Sequence, residues 1–179
     1  TPQEWSHLIA SMVTLSPARD EAVSRYLATN HPHKPSKAPI LVPGSTNIVI
    51  DEWITPTLGQ RTRDPIEAPD GAIWWTGMWA SLVGRLDPDT GKMTEFPLPS
   101  SARPHSIVPD QEGFIWYTGN SNGTIGRLNP ADGSIKEFPT QARYPRTAVF
   151  HPNGSLYFTS QHSNMLGRLN PKAGDLIEV

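Results

Sequence analysis

The chain repeats itself, and the repeat narrows its folds more than any other feature. Gly84-Arg85-Leu86-Asp87-Pro88 recurs as Gly126-Arg127-Leu128-Asn129-Pro130 and again as Gly167-Arg168-Leu169-Asn170-Pro171, at spacings of 42 and 41 residues. The aromatic run Ile73-Trp74-Trp75-Thr76 returns at the same spacings as Ile115-Trp116-Tyr117-Thr118 and Leu156-Tyr157-Phe158-Thr159. A third marker, Glu95-Phe96, returns as Glu137-Phe138 and Glu178-Val179. A period of about 40 residues with several short strands per unit is the pattern of a β-propeller blade.

Each unit divides into four predicted strands. The first follows Pro104-His105 or Pro145-Arg146 and reads Ser106–Val108 or Thr147–Phe150; in the first unit this stretch reads as shorter, with Ile66 directly after Pro65. Turns follow at Pro69-Asp70-Gly71, Asp110–Gly113 and Pro152-Asn153-Gly154. The aromatic run is the second strand, and the third ends in Gly-Arg-Leu. An Asp-Pro or Asn-Pro then opens a turn closed by Gly91, Gly133 or Gly174. The fourth strand is Lys92–Phe96, Ser134–Phe138 and Asp175–Val179. Period-two alternation puts one face of each strand between adjacent blades, where aromatic side chains bury large area.

Residues 47–179 hold a little more than three such units, and a propeller needs at least four blades. Ile48–Ile54, with Glu52-Trp53 matching Glu95-Phe96, reads as a fourth strand without its first three. The expectation is an internal segment of a longer gene product, or else a ring closed between chains. Residues 1–30 read as a helical hairpin. Thr1-Pro2-Gln3-Glu4 is a capping box, Trp5, Leu8, Ile9, Met12 and Val13 share one face, and Ser16-Pro17 restarts a helix bearing Ala22, Val23, Tyr26 and Leu27. Residues 31–46 form a Pro-rich linker containing Pro32, Pro35, Pro39 and Pro43. The expected fold is therefore all-β, a partial β-propeller of about three four-stranded blades preceded by a short α-helical hairpin.

Composition removes several functions. With 15 basic and 17 acidic residues the net charge is −2, which argues against nucleic-acid backbone binding and against a polybasic membrane patch. No apolar run is long enough for a membrane span. Absence of Cys excludes disulfides, Cys-ligated zinc, iron–sulfur clusters, a thiol nucleophile and a covalent haem site within this chain.

The units resemble those of the virginiamycin B lyase (streptogramin lyase) family. The resemblance rests on Arg103-Pro104-His105-Ser106-Ile107, Ile115-Trp116-Tyr117-Thr118, Gly123-Thr124-Ile125-Gly126-Arg127-Leu128 and Glu137-Phe138-Pro139, and it covers residues 47–179. It implies a seven-bladed propeller and a carbon–oxygen lyase that opens a cyclic depsipeptide by elimination. It further implies a His base and Mg²⁺ held by Glu, an exported or periplasmic protein, and a small-molecule or peptide-like ligand at the propeller channel. The hairpin, through Trp5, Met12 and Tyr26-Leu27-Ala28, resembles the closing helices of a c-type cytochrome domain, which suggests a fused or partner cytochrome.

Carried over position by position, the match is partial. His105 stands at the Pro-His position and is the catalytic candidate; Arg146 is its equivalent in the third unit. The family's Glu position holds Gly77, Gly119 and Ser160, so no metal ligand is assigned here. Repeat-breaking loop residues often carry function. They supply the substrate-binding candidates Trp79, Gln161 and His162, with Arg103 and Arg146 (beside Arg143) as anion contacts; the bland alternative is loop packing and a solvated rim. Arg85, Arg127 and Arg168 recur in every unit and read as structural, and Asp87, Asp89, Asp110 and Asp132 suit turns. His31 and His33 on the linker read as inert. A binding or scaffold propeller is the alternative to an enzyme. A sugar-lactone or ester hydrolase would need a metal cluster of Asp, Asn and Glu that this stretch lacks.

Overall fold

The computed structural model describes residues 1–11, 14–32, 44, 49–99 and 101–178. The chain forms two compact units, Thr1–Ile50 and Asp51–Val179. The expectations for Met12, Val13, His33, Pro35, Pro39, Pro43, Asn47, Ile48 and Val179 lie outside the described residues.

In the first unit, helices α1 (Pro2–Ala10) and α2 (Pro17–Asn30) form the expected hairpin. The capping box is complete: the Thr1 hydroxyl accepts from the Glu4 N–H at 3.3 Å, and the Glu4 carboxylate accepts from the Thr1 ammonium at 2.6 Å. Ser6 Oγ donates to Asp20 Oδ2 at 2.6 Å and ties the two helices together. No helix among the described residues is long and apolar enough to cross a membrane.

The second unit is three four-stranded antiparallel sheets, each in sequential order. The first blade is β1 (Thr62–Glu67), β2 (Ile73–Gly77), β3 (Leu82–Leu86) and β4 (Met93–Pro97). The second is β5 (Pro104–Pro109), β6 (Ile115–Gly119), β7 (Thr124–Leu128) and β8 (Ile135–Pro139). The third is β9 (Pro145–Phe150), β10 (Leu156–Ser160), β11 (Leu166–Leu169) and β12 (Leu176–Glu178). The turn between third and fourth strands closes identically in each blade. Asp87, Asn129 and Asn170 each accept a backbone N–H two residues on through the side chain. The N–H of Gly91, Gly133 or Gly174, at positive φ, bonds back to the carbonyl of that same Asp or Asn at 2.8 Å. The Asx side chain and the glycine are what the turn requires, and that is why the sequence marks it so plainly.

Adjacent blades are held together by apolar layers. Between the first and second lie Trp74, Val83, Ala102, Ile107, Ile115, Tyr117 and Leu128, all buried. Between the second and third lie Trp116, Ile125, Phe138, Leu156, Phe158 and Leu169. The repeated glycine of the Gly-Arg-Leu marker is part of this packing. A Cβ on Gly84, Gly126 or Gly167 would fall inside the ring of Trp75, Tyr117 or Phe158, each of which lies flat over its neighbour strand.

Two expectations change. Residues 49–54 carry no strand; Trp53 instead lies against Gly91, whose added Cβ would stand 3.3 Å from the indole Nε1. A fourth strand needs a third to pair with, and none is found for it among the described residues. The first unit is also not shortened at its first strand. Thr62 pairs with Gly77 and Ile66 with Trp74, as Pro104 pairs with Gly119 and Val108 with Trp116. Arg63 therefore stands at the position of His105 and Arg146.

Candidate functional site

The first strand of every blade breaks register with the second at the same place. The irregularity falls between Arg63 and Ile66 in β1, between Pro104 and Ile107 in β5, and opposite Phe158–Ser160 for β9. Such a bulge re-aims side chains and leaves backbone groups unpaired. The threonine that ends each aromatic run takes them up. Thr76 Oγ1 donates to the carbonyl of His105, in the next blade, at 3.0 Å. Thr118 Oγ1 donates to the carbonyl of Arg146 at 2.7 Å and accepts from the Ser106 N–H at 2.9 Å. Asn120, buried beside it, donates to the Pro145 carbonyl at 3.0 Å. Buried threonines of one blade thus fix the Pro-His position of the next.

That position gathers a charged cluster. His105 is buried, with its side chain 8% exposed. Arg146 Nε donates to His105 Nε2 at 3.0 Å. A guanidinium only donates, so Nε2 holds the lone pair and the proton of the neutral ring sits on Nδ1. Asp64 Oδ2 lies 3.4 Å from Nδ1, a long contact that does not reach hydrogen-bond geometry and leaves this nitrogen unsatisfied. Burial first, then the charge of Arg63 and that of Arg146, hold the His105 pKa below its ordinary 6.5, while Asp64 pulls it upward.

The sign of this shift makes a prediction. Below pH 6.5 the unfolded chain protonates the imidazole before the folded one does, so stability is lost as pH falls through that range. His105→Asn is expected to flatten the dependence of the urea midpoint on pH between pH 7.5 and 5. An unchanged slope in that variant would locate the titration elsewhere.

The other sequence candidates lie at the same end of the blades, in the loops after the second strands and before the first. Trp79 is 64% exposed, with the Arg61 guanidinium 5.3 Å from its ring centroid. Arg103 is exposed at positive φ, and its N–H donates to Ser81 Oγ at 3.1 Å. Gln161 is exposed and donates its N–H to the Tyr144 carbonyl; exposed His162 meets the Tyr144 ring edge-on at 4.9 Å. None of these four makes a hydrogen bond or ring contact with the cluster among the described residues. The structure brings together His105 and Arg146 of the sequence candidates and adds Arg63 and Asp64. Counting 42 residues back from His105 reaches Arg63; the lure was Pro65, which mimics the Pro of Pro-His but sits three residues too far along the strand. Of the repeated arginines, Arg85 pairs with Asp70 at 3.0 Å and Arg127 stacks on Phe114 at 4.4 Å.

A model of the virginiamycin B lyase family matches residues 46–178, three quarters of the chain. The chain belongs to the virginiamycin B lyase family. Its three blades superpose on virginiamycin B lyase from Staphylococcus aureus with a TM-score of 0.68 and 29% identity, covering 73% of this chain and 45% of that one. A catalytically inactive variant of the same lyase, solved with quinupristin, gives 0.69, 29%, 74% and 45%. A streptogramin B lyase gives 0.66, 26%, 72% and 43%. The chain thus spans less than half the length of these lyases. No match was found among curated proteins.

The Mg²⁺ that the family implies does not fit the residues described. Among the described residues, no group of three or more His, Asp or Glu is placed to hold a metal. The His105–Asp64 pair lies within reach of the Arg146 guanidinium and feels the charge of Arg63, and both repel a cation. Of the three positions to which the resemblance assigns Glu, Gly77 and Gly119 are crowded by neighbouring side chains, and Ser160 is bonded to the Arg143 carbonyl and Ser163. A side chain on Gly77 would run into Gln60 Oε1 at 2.5 Å and Leu82 Cδ1 at 2.6 Å, and one on Gly119 into Asn122 and Thr124. Gln60 is itself held by the indole N–H of Trp75 at 2.8 Å and by Glu95 at 3.0 Å.

Proposed function

We propose that these blades form a ligand-binding wall of a carbon–oxygen lyase that acts by elimination beside a carbonyl. Elimination needs a base for the proton next to the carbonyl and an electrophile for the oxygen that gains charge. His105 supplies the first requirement: it is neutral, its lone pair is on Nε2, and Asp64 faces the opposite nitrogen. Arg63 and Arg146 supply the second as cations at the equivalent positions of the two neighbouring blades. Arg146 masks the base by donating to its Nε2. A carbonyl oxygen that draws the guanidinium away frees Nε2 for the α-proton, which passes to the imidazole as the C–O bond to the leaving oxygen breaks. The single observation that carries this reading is the His105 lone pair held 3.0 Å from a guanidinium at the channel end of a lyase-family propeller.

The test uses streptogramin B and the whole protein. Ring opening without incorporation of solvent oxygen is expected, with His105→Ala lowering the rate at least about a hundredfold, the usual scale for loss of a general base. Hydrolytic opening, or full activity in the His105 variant, overturns it. Glycine and serine in the family's Glu positions favour a second reading, a binding or scaffold propeller, with a fused or partner cytochrome as one setting. On that reading the ring stays intact while ligand binding survives.

A further inference from the structure

We propose that the Arg63–His105–Arg146 cluster takes an anionic ligand, one whose carboxylate or phosphate group bridges the two guanidiniums. The proposal rests on the reading of this cluster as the ligand site and narrows what that site accepts.

Five arginines gather at one end of the propeller unit. Arg61, Arg63, Arg103, Arg143 and Arg146 all lie where the first strands begin. The turns at the opposite end instead mix acids such as Asp87, Asp132 and Asp175 with Lys92 and Lys172, and Asp70 is paired there with Arg85. A group of like charges concentrates ligands of the opposite sign.

Among the described residues none of these five arginines forms an ion pair with a carboxylate. The acids that could have served are engaged elsewhere. Asp64 faces His105. Glu95 accepts from Thr57 and Gln60, Glu137 from Tyr117, Asn122 and Thr124, and Glu178 from the N–H groups of Gln141 and Ala142.

Arg63 and Arg146 are half-buried rather than fully solvated, and stand at the register position of the buried His105 in the blades before and after it. Part-buried cations without a counter-charge carry a desolvation penalty that an oxyanion relieves, and the planar guanidinium fork matches carboxylate and phosphate oxygens. Arg146 spends Nε on His105 and keeps both terminal nitrogens for such a ligand. A neutral ligand uses the hydrogen bonds of this site but leaves its charge uncompensated.

Calorimetric titration of the whole protein with inorganic phosphate and, separately, with succinate at pH 7.5 and low salt tests the proposal. Saturable one-to-one binding of at least one anion is expected, and the arm that binds identifies the oxyanion. Arg146→Gln and Arg63→Gln should each weaken it at least tenfold. Arg146→Lys, which keeps the charge and loses the fork, should fall between wild type and Arg146→Gln and guards against a folding defect. Lys172→Gln, in an exposed turn at the opposite end, should leave binding unchanged. No saturable binding of either anion, or equal loss in Lys172→Gln, overturns the proposal. Anion binding without streptogramin opening removes the elimination reading and keeps this one; ring opening that neither anion inhibits or accompanies does the reverse.

Discussion

Trp116→Ala is expected to lower stability by about 3–5 kcal/mol, the range for truncating a large buried aromatic side chain. Trp116 is fully buried between the second and third blades. Its ring stacks on Phe138 at 5.7 Å and meets Phe150 edge-on at 6.0 Å, and its indole N–H donates to Asp110 at 2.8 Å. Truncation opens a cavity at the blade interface and leaves that carboxylate without its donor. A urea unfolding curve reads the loss as a shift of midpoint at constant slope. A cost below about 1 kcal/mol would mean that the blades slide together to fill the void, contrary to the close packing seen.

Thr118→Val is the second large effect, and it reaches the site. Valine keeps the shape but removes the hydroxyl that joins the Ser106 N–H to the Arg146 carbonyl. Two buried backbone groups lose their partner, each worth about 1–3 kcal/mol when unmet, so a loss of about 2–4 kcal/mol is expected. Thr118→Ser restores both bonds and should recover most of it. The Arg146 backbone, no longer pinned to the second blade, should also let the guanidinium leave His105. The Val variant is therefore expected to bind the probing anion more weakly than the Ser variant when both are compared at equal fraction folded. Equal affinity in the two would show that the threonine bridge holds the blades together without positioning the site.

The legible parts of the molecule were those written by local chemistry. Asx-Pro and Gly mark the outer turns because few other residues satisfy that backbone. Glycine recurs in Gly-Arg-Leu because an aromatic ring from the neighbouring strand lies on it. The repeated Glu of the fourth strand was visible as a marker, but its task was not. Glu95 and Glu178 bind chain segments 35 to 38 residues distant, and no local pattern records that. The site was half legible. His105 and Arg146 stood out by motif position, whereas Arg63 was hidden because Pro65 suggested a different alignment. Asp64 carried no signal, since a lone Asp before Pro reads as a turn residue.

By itself, the amino-acid sequence determined the blade: its period, its four strands, its turns and its membership of a lyase family. These follow from short-range constraints repeated three times. Tertiary structure alone decided which side chains meet. The irregular first strands of the second and third blades are each held by a threonine from the preceding blade, and those contacts set the arginine, histidine and second arginine in neighbouring positions. Three adjacent blades, each contributing one residue at one register position, turn separated letters into a cationic cluster around a buried neutral imidazole. Burial and the fields of two guanidiniums then set the protonation state of His105, and both arise only when the blades are stacked.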